Sequence, residues 1–319
     1  MNKVGIIIIN FNSTNCLEIT MKSLIKAKTN TMFEVGIIDN GSIRRERDLC
    51  EKMIKRLNDQ ELSFNIKFFD ADKNLGFSGG NNVVIEYFMS KEDITHICLL
   101  NSDVIVTDYW LDYMIEKECD VIGPVTNAAG NEQTIQINYE VKMNENAIAV
   151  VNEYSKKRHE CYKGYTVKSN LVTFFATLFK REVIEKVGLL DEQFYPGSYE
   201  DDDYCVRILN EGFNISIARD CFLHHYGSGS FSRLKMTERK NIGDINRERF
   251  EKKWGYKWKD RTWKILESVK QDIDFLIEKD NSWEKEQLDS SLRDIEKLIE
   301  EWGDAIQYFT TTQKNFQTQ

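Results

Sequence analysis

Three times within the first seventy residues, a short run of apolar and largely β-branched side chains stops abruptly on small polar groups. The first run, Val4–Ile9, contains no polar residue at all. A strand of that composition needs cover on both faces, as a central strand of a parallel sheet has. Asn10, Phe11 and Asn12 follow it, and Ser13 or Thr14 can cap a helix reaching to about Lys28. Phe33–Ile38 repeats the pattern and ends on Asp39-Asn40-Gly41-Ser42, ahead of a charged helix over about Ile43–Asn58. Asn65–Phe69 is the third strand. This alternation predicts a doubly wound α/β sheet, and the polar carboxyl ends of its strands are where such sheets bind ligands.

The pattern returns at 96–103, where Ile97, Cys98, Leu99 and Leu100 form a buried run that stops on Asn101, Ser102 and Asp103. A lone acid after a strand can equally cap a helix, so Asp103 takes its meaning from what other segments bring to it. A dinucleotide site would need Gly-x-Gly-x-x-Gly between the first strand and its helix, and residues 10–15 contain no glycine. NAD and FAD are excluded on that ground, and the lack of Gly-x-x-x-x-Gly-Lys-Ser/Thr excludes a P-loop. Glycines do gather at 73–82, Lys-Asn-Leu-Gly-Phe-Ser-Gly-Gly-Asn-Asn, before a helix expected over about Asn81–Met89. Such a loop lets backbone amides approach an anion or a sugar, although Gly79-Gly80 also suits a plain tight turn.

Farther on, Thr107 can cap a helix over Asp108–Glu118, while Asp120–Gly123 and Gly130–Asn138 read as strands. Residues 139–163 are polar and without a clear period. Leu171–Phe179 is strand-like and aromatic, and Arg181–Val187 is a short helix ended by Gly188. Glu200, Asp201, Asp202 and Asp203 then open a helix that Gly212 ends. Acids in a first turn offset the helix dipole. Four together repel one another, and that crowding is best tolerated where a metal or a proton transfer uses it. Phe213–Ala218 reads as a strand leading on to His224 and His225. Adjacent residues in an extended segment point oppositely, so only one of the two is expected to reach a metal.

We divide the chain into an α/β domain, 1–238, and a helical extension, 239–319, that is rich in helix formers and free of proline. Residues 249–264 interleave basic side chains with Trp254, Tyr256, Trp258 and Trp263, a pattern that suits acidic phosphates, a membrane surface, or packing on the first domain. Leu288, Leu292, Ile295, Ile299, Trp302, Ile306 and Phe309 recur at spacings of four and three. This seam over 288–309 suits self-association between subunits or folding back within one. With 43 basic against 52 acidic residues and a net charge of -9, the chain offers no overall field for nucleic acid. Seven cysteines without a CxxC pair fit reduced thiols and argue against zinc or iron–sulfur sites. The amino terminus enters the first strand directly and no run reaches the length of a membrane span. The expected location is cytoplasmic, with peripheral contact at the inner face of the membrane left open.

Several stretches together resemble glycosyltransferase family 2, whose members are inverting nucleotide-sugar enzymes. They are IIIINFN at 6–12, IIDNGS at 37–42, NLGFSGGNN at 74–82, LLNSD at 99–103, REVIEKVGLLDEQF at 181–194, EDDDYCVR at 200–207 and HHYGSGSF at 224–231. NRERFEKKWG at 246–255 resembles the segment that closes many members' catalytic domain. The resemblance implies a GT-A type, Rossmann-like α/β fold: a mostly parallel sheet flanked by helices, here with a C-terminal helical extension. It implies that Asn10, Asn12 and Asp39 hold the nucleoside, with Asn74 and the Gly76–Asn81 loop, Gly79 included, lining the nucleotide-sugar site.

By the same resemblance, Asp103 matches the last acid of the family's Asp-x-Asp motif and would coordinate Mn²⁺ or Mg²⁺ on the diphosphate, assisted by His225 or His224. Asn101 stands where many members carry the first acid, which leaves the metal fewer anionic ligands, and Ser102 lies between the two. Asp201 matches the catalytic base, with Glu200 and Asp202 as alternatives. The Gln-x-x-Arg-Trp motif and membrane spans of the processive branch are missing, which favours transfer of one sugar at a time. Family frequency puts UDP first and dTDP second as the donor nucleotide. The acceptor is expected to be a hydroxyl of a glycan, lipid-linked or protein-linked. A non-catalytic sugar-nucleotide-binding or assembly subunit is the alternative outside enzymes, and a nucleotidyltransferase the alternative within them.

Overall fold

The computed structural model describes residues 2–227, 236–258 and 262–279, together with 283, 285, 286, 288–290, 292 and 293. The chain begins β1 (Lys3–Asn10), α1 (Thr14–Lys26), β2 (Met32–Asn40), α2 (Arg44–Asn58), β3 (Ile66–Ala71), α3 (Gly76–Met89) and β4 (His96–Leu100). It continues through β5 (Val104–Ile105), α4 (Trp110–Ile115), β6 (Val121–Val125), α5 (Glu145–Tyr162), β7 (Thr166–Ser169), β8 (Ala176–Lys180) and α6 (Arg181–Val187). A 3-10 turn at Glu192–Phe194 precedes α7 (Glu200–Asn210), β9 (Ile215–Phe222), β10 (His224–His225), α8 (Met236–Trp254) and α9 (Thr262–Ile277).

Eight strands form one sheet in the order β3-β2-β1-β4-β8-β6-β9-β7. The first four positions are parallel, β8 runs antiparallel between β4 and β6, and β7 closes the far edge antiparallel to β9. In β1 the side chains of Val4, Ile6 and Ile8 belong to the apolar cluster that also takes in residues of α1, α2 and α4, whereas Ile7 belongs to the cluster that takes in α3 and α5. The apolar run is therefore covered on both sides, as its composition requires. Gly5 and Gly36 let α3 come close, since a Cβ on them would lie 2.6 Å from the Phe88 ring and 2.4 Å from Val84 Cγ1.

Some expected elements differ. Helix α3 starts at Gly76, five residues ahead of the expected Asn81. The glycines sit within its first turns, where Gly80 faces the Asn40 side chain and Ile9. Gly130–Asn138 is not a strand and contributes only an isolated bridge, Thr126 to Thr134. Its buried Gln133 instead reaches sideways, donating to Pro124 O at 2.9 Å and accepting from Thr173 N at 2.7 Å. The ambiguous 139–163 stretch contains α5. The strand expected at Leu171–Phe179 is the shorter β8, and that expected at Phe213–Ala218 is the longer β9.

The extension packs on the sheet domain. Asn246 of α8, fully buried, donates to Phe194 O at 2.9 Å and Gly197 O at 2.8 Å. Asp272 of α9, also fully buried, meets Arg219 of β9 and Arg158 of α5. Leu288 and Leu292, the start of the apolar seam, join Cys161, Tyr162, Val269 and Leu276 in one cluster. The other five seam residues lie outside the described residues. Trp254 and Trp258 donate their indole N–H groups to Asp203 and Asp202, so these aromatics serve packing on the acidic helix. Among the described residues no helix is long and apolar enough to cross a membrane.

Candidate active site

The parallel register sets Asn10 beside Asp39, so the polar tips of β1 and β2 lie together. Asp39 is fully buried and accepts from Asn10 Nδ2 at 2.8 Å and from Ser42 N at 3.0 Å. Ser13 Oγ donates to Asn10 Oδ1 at 3.2 Å and lies 3.2 Å from Ser102 Oγ. One chain of hydrogen bonds thus ties the ends of β2, β1 and β4, fixing the rim before any ligand arrives. Asn12, with φ 55°, caps the β2–α2 turn by accepting from Ile43 N at 2.8 Å.

Beside this rim lies a cleft of about 460 Å³. It is lined by Asn74, Gly76, Asn101, Ser102, Asp103 and His225 of the expected positions, together with Ile9, Phe11, Asn40, Phe77, Tyr195, Pro196, Gly227 and Ile242. Asn10, Asn12, Asp39, Gly79 and Asn81 do not line it. Gly79 and Asn81 lie on α3, where Asn81 Nδ2 donates to Phe77 O at 3.0 Å. The amides of Leu75, Gly76 and Phe77 are taken by Asn40 Oδ1, Asn74 Oδ1 and Pro196 O. This stretch is therefore a braced turn and not an open amide cradle.

The two-strand ribbon of β5 and β10 pairs Val104 with His225 and Ile105 with His224, which carries His225 to Asp103. His225 Nε2 stands 3.3 Å from Asp103 Oδ1 and 3.3 Å from Asn101 Nδ2. Its ring stacks on Phe175 at 5.2 Å, and its Nδ1 lies 2.7 Å from Ala128 O. That carbonyl only accepts, so Nδ1 carries a proton and Nε2 of the neutral ring presents a lone pair to the carboxylate. Two acceptors so placed need a ring proton or a cation, and a backbone partner on the second nitrogen is the usual support of a metal-binding imidazole. Burial works against charge on this ring, but Asp103 and Ala128 O outweigh it and raise the His225 pKa. His224 turns away to Tyr139 OH at 3.1 Å, and burial lowers its pKa to about 4. Among the described residues no group of three or more His, Cys, Asp or Glu side chains is gathered for a metal. Of the expected metal ligands, Asp103 and His225 stand together with Asn101 beside them, and the carboxylate is the donor type that Mn²⁺ or Mg²⁺ would take.

The four acids of α7 divide by environment. Asp203 is fully buried against Lys253 Nζ at 2.6 Å and Trp254 Nε1 at 2.9 Å, so it anchors α8. Asp202 accepts from Trp258 Nε1 at 2.9 Å. Glu200 is buried with Oε2 lacking a hydrogen-bond partner, and burial raises its pKa. Asp201 accepts the Asp202 amide at 3.0 Å and lines a second hollow of about 250 Å³ with Asp202, Tyr199 and Trp258. Burial, then the Asp202 and Glu200 charges, push its pKa well above the ordinary carboxylate range. A carboxylate so perturbed is a stronger base once ionised. The segment 195–199 separates the hollows: Tyr195 and Pro196 face the cleft, while Ser198 and Tyr199 line Asp201's hollow at φ 81° and 72°. Non-glycine residues in that region are strained and need support, which Asn246 gives from α8.

Asn40, Asn246 and Trp258 carry the site's support, and sequence reasoning assigned them no role there. Asn40 lay in a marked turn cluster and Asn246 in a marked segment, but only tertiary contact shows what each holds.

Residues 5–188 match the family model described as Glycosyl transferase family 2. A relative, the low-salt glycan biosynthesis hexosyltransferase Agl10 of Haloferax volcanii, is 23% identical over 224 residues, 67% of this chain and 64% of that protein. The chain thus spans less than two thirds of that relative's length. Among solved structures, that of GalNAc-T7 with UDP, GalNAc and Mn²⁺ superposes with a TM-score of 0.52 at 13% identity, covering 70% of this chain and 44% of the other. This second likeness is one of fold. With the family model matched over more than half the chain, and the sheet built as its GT-A type members build theirs, the chain belongs to glycosyltransferase family 2.

Proposed function

We propose that the chain is an inverting, metal-dependent glycosyltransferase that moves one sugar from a nucleotide-sugar to a hydroxyl of a glycan, lipid-linked or protein-linked. UDP is the first choice of donor nucleotide and dTDP the second. The observation that carries this reading is the cleft itself, which gathers Asn74, Gly76, Asn101, Ser102, Asp103 and His225 from separate segments. The Haloferax relative, named a hexosyltransferase of glycan biosynthesis, supports a hexose donor. The seven cysteines, none of them joined in a disulfide, fit a cytoplasmic site of action.

The acceptor oxygen attacks the anomeric carbon on the face opposite the nucleotide. Its proton passes to Asp201, and the bond from that carbon to the diphosphate oxygen breaks with its electron pair leaving on the nucleoside diphosphate. One displacement inverts the centre. Asp103 and His225 would hold a divalent cation such as Mn²⁺ or Mg²⁺, whose chemistry there would be to supply countercharge to the diphosphate. The ring of His225 is kept in register by Ala128 O and Phe175.

Asp201→Asn should lower transfer by about 100-fold or more, the usual weight of a general base, with UDP affinity kept within about twofold. Normal turnover in that variant rejects the role. Asp103→Ala should weaken Mn²⁺-dependent UDP binding, and unchanged metal dependence counts against it. The replacement of a first acid by Asn101 favours a second reading, a subunit that binds the donor without turnover. Release of nucleoside diphosphate by the purified chain, screened over UDP- and dTDP-sugars, decides between them.

A further inference from the structure

We propose that Asn246 of α8 is a positioning residue for the donor: it fixes the wall of the cleft at Tyr195 and Pro196 before a nucleotide-sugar arrives. The proposal rests on reading that cleft as the donor site, and it makes the helical extension part of that site. Three observations carry it.

The first is a staple across the wall. Residues 195–199 are neither helix nor strand, so their carbonyls need donors from other segments or from water. The Asn246 amide has two N–H donors and gives them to carbonyls that bracket Tyr195 and Pro196: Phe194 O at 2.9 Å and Gly197 O at 2.8 Å. Tyr195 O lies farther off, at 3.5 Å. Its Oδ1 accepts from Arg249 Nη1 at 2.9 Å, which settles the end of the amide that faces the loop. Asn246 is fully buried, so water is no ready substitute for these bonds. The second observation is a grip from the opposite side. Pro196 O, between the two stapled carbonyls, accepts from Phe77 N at 2.8 Å. Phe77 lies in the first turn of α3, where backbone amides have no partner within the helix, so α3 and α8 hold the wall between them. The third is fit. Gly76 lines the same cleft at φ 75°, and a Cβ there would lie 2.8 Å from the Tyr195 ring. A wall packed so closely on the turn that carries Asn74 cannot shift without reshaping the cleft. Asn246 does not line the cleft, although Ile242, four residues earlier on α8, does. It therefore acts through Tyr195 and Pro196.

The test uses the full chain and two readouts. Isothermal titration with UDP and with dTDP, Mn²⁺ present, reads donor affinity. Hydrogen exchange at the Phe77 amide, followed by NMR in the nucleotide-free chain, reads the position of the wall without any activity. Asn246→Ser keeps one donor and should weaken the nucleotide that binds by about fivefold or more, the weight of one buried hydrogen bond. It should also speed Phe77 exchange by about fivefold or more, while amides in the middle of α3 change by less than about twofold. In a Tyr195→Ala background, Asn246→Ser should cost less than about a further twofold, because the side chain it acts through is gone. An affinity unchanged in Asn246→Ser overturns the proposal, as does the full loss persisting in the Tyr195→Ala background. So does a wild-type Phe77 amide that exchanges freely until nucleotide is added, since the ligand would then be ordering the wall. That last measurement decides the matter even where Asn246→Ser does not fold. A wild type that binds neither UDP nor dTDP strikes the donor reading instead, and Phe77 exchange then decides alone whether Asn246 holds the wall.

Discussion

Replacing Asp272 by alanine tests whether the helical extension and the sheet domain form one folding unit. Asp272 sits on α9 with no exposed surface and accepts from Arg219 Nε at 2.8 Å, from Arg219 Nη2, and from Arg158 Nη2 at 3.1 Å. Arg158 and Arg219 are 1% and 0% exposed, so two guanidinium groups share this carboxylate away from water. The other guanidinium contacts survive its loss: Arg158 Nε to Arg219 O and Arg219 Nη1 to Glu132 O, each at 2.8 Å. What disappears is the carboxylate that the two arginines share. Leaving buried cations uncompensated costs about 3–5 kcal/mol, far more than the net worth of an intact buried pair. For a chain of this size that corresponds to a fall in Tm on the order of 10 °C. Urea denaturation followed by circular dichroism should show the loss, with Asp272→Asn, which keeps an acceptor, falling between the two. A loss below about 1 kcal/mol in Asp272→Ala would refute the reasoning. It would mean that α9 can detach at little cost, with water reaching both arginines.

Two further outcomes can be measured. Asp202→Asn should shift the acid limb of kcat/KM to lower pH: Asp201, the proposed base, would have to be ionised to work, activity would be lost as pH falls through its pKa, and after burial the Asp202 charge is what raises that pKa. A limb that stays put, or moves up, would remove Asp202 from that account. Gly36→Ala should destabilise the fold by about 1–3 kcal/mol in thermal unfolding, since the new methyl would lie 2.4 Å from Val84 Cγ1 and push α3 off the sheet. An unchanged midpoint would show that α3 can yield there.

Much of the sheet was legible because central parallel strands advertise themselves: Val4–Ile9 and Ile97–Leu100 have no polar residue to expose. The histidine pair was legible too, since alternation in an extended segment sends His224 and His225 to opposite faces. Helix α5 was hidden by its own core. Its buried stripe of Ala147, Ile148, Val151, Tyr154, Ser155, Arg158 and Tyr162 has helical spacing, but Ser155 and Arg158 read as surface until Asp272 and Phe222 O are seen opposite them. The glycines at 76, 79 and 80 were read for backbone freedom toward a ligand. The fold uses them largely for close packing of α3 against neighbouring segments, a purpose that leaves no separate mark in sequence. The insertion of β8 between β4 and β6 depends on pairing between distant segments, and local pattern carries no record of it.

That inserted strand has its own consequence for the cleft. Parallel strands deliver only their departing ends to the ligand edge, but β8 runs the other way and sets out from there, with Ala176 opposite Leu100. Phe175, immediately upstream, takes the Asn101 amide on its carbonyl at 2.7 Å and lies flat under His225. The bed beneath the imidazole is thus the opening rung of a ladder and inherits the ladder's stiffness. Anyone reshaping this cleft would do better to vary the wall at Tyr195 than the bed at Phe175, where a change in shape propagates into the sheet.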